Sequence, residues 1–211
     1  MAIMNQIREL IAHDHNAIER TPYSIALVSS QITKKDYLFS IAQMHAIHQA
    51  LEIACDSCPQ LQPYFTDAMR RSTTIERDLA HFESELIDFD VLPQTLAIVT
   101  QITEWAVAAP LTLVGCIYIL EGSRMGSLML ARPIAAALGV TAADGNGIDY
   151  HTEGARETPG RLKLWKEQVS AVGFTPDEEA DIAKGAGEFM KMLTRLYEVL
   201  PAGKAMGRQA A

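Results

Sequence analysis

Almost every patterned segment of this 211-residue chain repeats its apolar residues with a period of about 3.6, and no run alternates as a half-buried strand would. That periodicity leaves packed helices as the architecture, and the length is enough to bury a sizeable core in one domain. A first helix is expected over residues 2–20, stopping before Pro22. A second is expected over 33–54, where the Thr33 hydroxyl can cap a first turn containing Asp36, and Ile41, Met44, Ile47, His48 and Leu51 share one face. Shorter helices are expected at 59–69 and 73–86, followed by a turn at 90–93 and a helix at 94–108. Residues 111–138 read as one long helix or two joined ones, bent at glycines and near Pro133 and ended by Gly139. The stretch 139–160 carries Gly, Asp and Thr without periodicity and reads as a long loop of the functional or mobile kind. Helices follow at 161–171 and 175–200, the last opened by Thr175, Pro176 and three acidic residues. The expected fold is a single all-α domain over 1–200, with seven or eight helices and a disordered tail at 201–211.

With 18 basic and 26 acidic residues, the net charge of −8 argues against nucleic acid or an anionic membrane as partner. Three cysteines (Cys55, Cys58 and Cys116) with no visible targeting peptide point to reduced thiols in a cytoplasm. The Cys55–Cys58 spacing is that of a redox motif, but it closes a helical pattern and lacks a second pair to complete a zinc site. The most apolar stretch, 106–120, is broken by Pro110 and is too short to span a bilayer.

Four constellations carry potential chemistry. His15 continues the helix-one stripe of Ile3, Ile7, Leu10, Ile11 and Ile18. On spacing alone a core histidine bonded to a carbonyl is favoured over a metal ligand. Arg8 lies two turns earlier on nearly the same face, roughly 10 Å away, which suits either an anionic group or solvent. Gly115, Gly122 and Gly126 share one face of the long helix, each at a cost of up to about 1 kcal/mol. They imply either tight helix packing or a flat ligand against bare backbone. His45, His48 and Glu52, with His81 and Glu85, could hold a dinuclear metal, although the paired Glu-x-x-His pattern is missing. Cys116 reads as a small core residue.

Together these segments resemble the heme oxygenase family. His15-Asn-Ala-Ile-Glu19 resembles its proximal-ligand segment, and the likeness continues through Gln31-Ile-Thr-Lys-Lys35 to Ala50-Leu51-Glu52. Tyr118-Ile-Leu-Glu-Gly-Ser-Arg-Met-Gly126 is similar to the distal-helix motif of a bacterial branch that includes bacteriophytochrome-associated enzymes. Leu164-Trp165-Lys166 and Phe174-Thr-Pro176 are weaker matches, and the likeness covers about residues 5–200. The resemblance implies heme, as both substrate and cofactor, between helix one and a kinked glycine helix, with His15 as the iron ligand. It implies heme contacts from Arg8, Glu19 and Lys166, the last where the family usually has arginine. Gly122 and Gly126 would let the distal backbone approach the heme face and steer oxygen chemistry to one meso carbon. The products implied are biliverdin, carbon monoxide and ferrous iron, with electrons from a ferredoxin or a reductase. The branch likeness adds a bacteriophytochrome as recipient of biliverdin.

Several positions depart from the family pattern. Ser123 replaces a distal aspartate, Ile119 an arginine and His48 a tyrosine, so Ser123 and His48 are the candidates to rebuild the water network. Ser127 stands where many members have a second glycine. The alternatives are a heme-binding or heme-sensing protein of the same fold, and a related dinuclear-metal oxidase or thiaminase-like hydrolase without heme.

Overall fold

Ile3, Ile7 and Ile11 are buried on one side of the first helix, α1 (Ile3–Glu19), and tie it to the core, while Leu10 from the same stripe is half exposed. The structure is a computed structural model that describes residues 3–82 and 90–203. Among the described residues it is helical throughout, with no strand.

Pro22 does end α1, but it also opens a helix of its own. Thr21 caps α2 (Pro22–Val28), and proline takes the first position, where its missing N–H costs nothing. The Thr33 side chain accepts from the Asp36 amide at 3.1 Å and starts α3 (Lys34–Ser57). Residues 59–69 form two short 3-10 turns, Gln62–Tyr64 and Asp67–Met69, in place of the expected α-helix. α4 (Ser72–His81) covers most of the expected 73–86 helix, whose end lies outside the described residues. α5 (Pro93–Ala108) follows.

The long apolar segment divides in two. α6 (Thr112–Ser123) is buried continuously from Thr112 to Glu121 and runs into a 3-10 turn, Arg124–Gly126, before α7 (Ser127–Leu138). The axis of Thr112–Gly126 meets that of Met129–Leu138 at 69°, so the bend comes just after Gly126. Pro133 sits inside α7. Gly139 closes α7 in the left-handed conformation, with φ +72°.

The stretch 139–160 is not a bare loop. It holds the one-turn α8 (Asp149–Thr152), whose first amides are taken by the buried Asp78 carboxylate at 2.8 and 2.7 Å. α9 (Thr158–Ala171) and α10 (Pro176–Val199) complete the chain, α10 opening with a Thr175–Glu178 capping box. The fold is therefore the expected all-α domain with ten α-helices among the described residues; α2 and α8 are too short for periodicity to reveal. Of the expected disordered tail, 204–211 lies outside the described residues, while the Gly203 amide donates to Asp36 at 2.9 Å.

α6 is the central helix, and α10 crosses it at backbone contact. A Cβ on Gly185 would collide with the Thr112 carbonyl, and one on Gly115 with the Ile182 carbonyl. Gly122, by contrast, has no atom within 4 Å of where its Cβ would stand. Gly185→Ala should therefore lower stability by about 1–3 kcal/mol, whereas Gly122→Ala should stay within about 1 kcal/mol of the parent. Urea unfolding of both variants checks this; equal losses would contradict the crossing.

Candidate functional site

α1, α6, α9 and α10, with Met44 of α3, line a half-open cavity of about 1120 Å³. α1 contributes Arg8, Ile11, Ala12 and His15, a face rotated slightly from the one that packs the core. The stripe thus runs from core into cavity, which accounts for a histidine at its end. The His15 side chain is 54% exposed, and its Nδ1 lies 3.5 Å from Glu19 Oε1. Glu19 lies on the next turn of α1 outside the cavity lining, so it acts on the cavity only through His15. With Nδ1 the nitrogen nearer Glu19, Nε2 is the ring nitrogen left for a metal.

The opposite wall is the end of α6. Ile119, Leu120, Gly122 and Ser123 line it, and at Gly122 the backbone is uncovered. Ser123 Oγ donates to the Leu120 carbonyl at 2.7 Å, so its proton is committed and only its lone pairs face outward. The three glycines therefore serve different ends. Gly115 is the tight-packing case, Gly122 is bare wall, and Gly126 lies in the 3-10 turn beyond the lining residues.

Arg8 and Lys166 both approach Tyr118. Lys166 Nζ sits 5.3 Å above the ring, while burial raises the Tyr118 phenol pKa and Arg8 pulls it down. Trp165, next to Lys166, fixes α9 by donating to the Tyr64 carbonyl at 2.8 Å and stacking on Tyr118 at 6.3 Å. Two cations from different helices thus share one end of the cavity. Met190, Leu193 and Tyr197 of α10 also line it, and sequence reasoning did not single them out. Their i, i+3, i+7 spacing was visible, but a cavity face and a core face on one helix share the same period.

His48 does not line this cavity. It is buried behind α6 beside a separate pocket of about 10 Å³, bordered by Glu52, Leu120, Glu121 and Arg124. Its Nε2 lies 3.2 Å from the Tyr150 hydroxyl. Burial, reinforced by Arg71 and Arg124, pushes its pKa down to about 3, so it is neutral at physiological pH. Leu120 borders both spaces and stands between His48 and the larger one.

The residues weighed for other chemistry are engaged elsewhere. Glu52 accepts from the Arg71 and Ser72 amides and from the Ser72 hydroxyl, and His45 pairs with Glu76 at 3.0 Å on the surface. Glu85 lies outside the described residues. Burial raises the Cys55 thiol to about 12, far from a reactive thiolate. No single helix among the described residues is long and apolar enough to cross a membrane.

The family model for heme oxygenase matches residues 1–198, and the chain belongs to that family. The structure is similar to that of heme oxygenase from Leptospira interrogans, with a TM-score of 0.85 at 16% identity over 94% of this chain and 99% of that one. It is also similar to heme oxygenase-1 from the cyanobacterium Synechocystis in complex with heme, with a TM-score of 0.83 at 16% identity over 93% and 91% of the chains. Heme oxygenase-2 from the same organism, in complex with heme and NO, gives 0.85 at 14% identity over 95% and 85%. No curated protein matches at the level of sequence.

Two buried histidines make acid stability a test of this geometry. His48 and His151 have pKa values depressed by burial to about 3 and about 4. The fold keeps them neutral while the unfolded chain takes up protons below about pH 6.5, so their stabilisation is lost as pH falls. Each loses about 2 kcal/mol by pH 5. Asp78, raised to about 6 by burial against its two amide donors, gains stability over the same fall and partly offsets them. His48→Phe should therefore lose about 2 kcal/mol less than the parent between pH 7 and 5 in urea titrations. An identical slope would contradict a neutral His48.

Proposed function

We propose that the cavity binds heme between His15 and the Gly122–Ser123 wall, and that the protein degrades it to biliverdin, carbon monoxide and ferrous iron with dioxygen and external electrons. The observation that carries this reading is an imidazole and an uncovered stretch of helix backbone lining one large cavity. Its volume of about 1120 Å³ slightly exceeds the usual range of ligand pockets, which run to roughly 1,000 Å³, and suits a large flat ligand. The donor set fits as well: one histidine for the metal, apolar side chains for the macrocycle, and Arg8 and Lys166 for its two carboxylates.

When bound, heme supplies the iron that activates oxygen and the carbon that is oxidised. The chain binds, orients and excludes. Glu19, 3.5 Å from His15 Nδ1, would steady the ring and leave Nε2 for the iron. Arg8 and Lys166 would pair with the two carboxylates of the macrocycle and so limit how it can turn in the cavity. Gly122 lets the distal wall come close, and Ser123 offers hydroxyl lone pairs to hold a water there. Gly126 lies just past that wall, at the end of the 3-10 turn before α7. His48, neutral and hydrogen-bonded to Tyr150, lies behind that wall. An electron donor, ferredoxin or a reductase, completes the reaction, and a bacteriophytochrome is the proposed recipient of the product. We place the activity in the cytoplasm.

One observation favours a second reading, a protein that binds heme without degrading it. Of Ile119, Leu120, Gly122 and Ser123, Ser123 alone carries a polar side chain, its proton already donated to Leu120, and His48 lies behind Leu120.

Absorption spectra separate the two. With heme, a reductant and oxygen, the Soret band should form and then decay to a bilin spectrum. A stable band would establish the second reading, and no band would contradict both. His15→Ala should weaken heme binding by at least about tenfold, or ~1.4 kcal/mol; an unchanged heme spectrum would overturn the ligand assignment.

A further inference from the structure

Behind the distal wall lies a set of buried charges that the proposed function does not use. Arg124 is the first residue of the 3-10 turn that breaks α6 from α7, and its side chain is 5% exposed. Its guanidinium reaches three elements at once. One arm donates to Glu121 Oε1 at 2.9 Å and to the Ala68 carbonyl at 3.3 Å; the other donates to the Glu153 carbonyl at 2.9 Å. Glu121, on the last turn of α6, spends its second oxygen on Arg161 Nε of α9, also at 2.9 Å. Arg161 is anchored in turn by donating to the Thr158 hydroxyl at 3.0 Å.

Each of these groups costs several kcal/mol to desolvate, so the cluster is weak as a source of stability and strong as a fixer of geometry. What it fixes is specific. Gly122 and Ser123, the bare wall, sit between Glu121 and Arg124 in sequence. A glycine at 122 gives the helix end little stiffness of its own. Arg161 immediately precedes Leu162 and lies five residues before Lys166, both of which line the cavity from α9. One carboxylate therefore holds the distal break and the cationic rim at a set separation.

We propose that Arg124, bridged by Glu121 to Arg161, is a positioning residue for the cavity: it sets how closely the Gly122–Ser123 backbone stands over a bound tetrapyrrole, and in what register with Lys166. The consequence for chemistry rests on the heme reading above. The mechanical part does not.

The test is hydrogen–deuterium exchange on the full-length protein without heme, comparing the parent with Arg124→Lys and Arg161→Gln. Lysine keeps the charge beside Glu121 but cannot hold the Ala68 and Glu153 carbonyls together. Exchange of amides 122–127 should accelerate by about tenfold in Arg124→Lys and severalfold in Arg161→Gln, with amides 7–15 of α1 unchanged. If Arg124→Lys does not fold, Arg161→Gln decides alone, because its side chain is partly exposed and it removes only the outer anchor. Exchange at 122–127 within about twofold of the parent, or equal acceleration in every helix, would overturn the proposal. With heme, reductant and oxygen added, both variants should change the ratio of bilin isomers. An altered exchange pattern in a protein that never binds heme would uphold the hinge and reject the heme reading instead.

Discussion

The crossing of α6 and α10 at Gly115 and Gly185 is the contact on which the rest of the structure depends. With no side chain at either position, the two backbones touch, and each glycine lies against the other helix's peptide groups. From that crossing both helices run on to line the same cavity, α6 through Tyr118 to Ser123 and α10 through Met190 to Tyr197. α1 packs against α10 and presents His15 from the opposite side. A side chain at the crossing would spread the helices and move both walls of the cavity together.

Two kinds of glycine therefore act on one helix. Gly115 lets protein approach protein, and Gly122 leaves room for something that is not protein. The sequence placed them on one face and could not tell them apart, because spacing reports direction and not what fills the space. The same limit applies to His15. Its stripe made a core histidine the favoured reading, yet the stripe passes from buried Ile7 to cavity-lining Ile11 within one turn, and the histidine sits beyond that transition.

The long helices were legible because their periodicity, caps and proline stops agree with the packing, as at Thr33, Gly139 and the Thr175 capping box. α2 and α8 escaped because seven and four residues are too few to show a period, and α8 depends on the Asp78 carboxylate from a distant helix. At the site, Arg8, His15, Gly122, Ser123 and Lys166 come together as residues of one cavity. His48 was grouped with Ser123 by family likeness, but a helix has two sides, and the chain puts His48 on the far one. The ion-pair cluster around Glu121 and Arg124 was illegible, because its partners come from residues 68, 153 and 161 through tertiary contact alone.

The proposed seat of heme, between His15 and the bare end of α6, is open to a crystal structure of the ferric heme complex. Iron should be bonded to His15 Nε2, with the Gly122–Ser123 backbone against the opposite face and the two carboxylates directed to Arg8 and Lys166. Iron held by any other side chain, or heme seated outside this cavity, would contradict it.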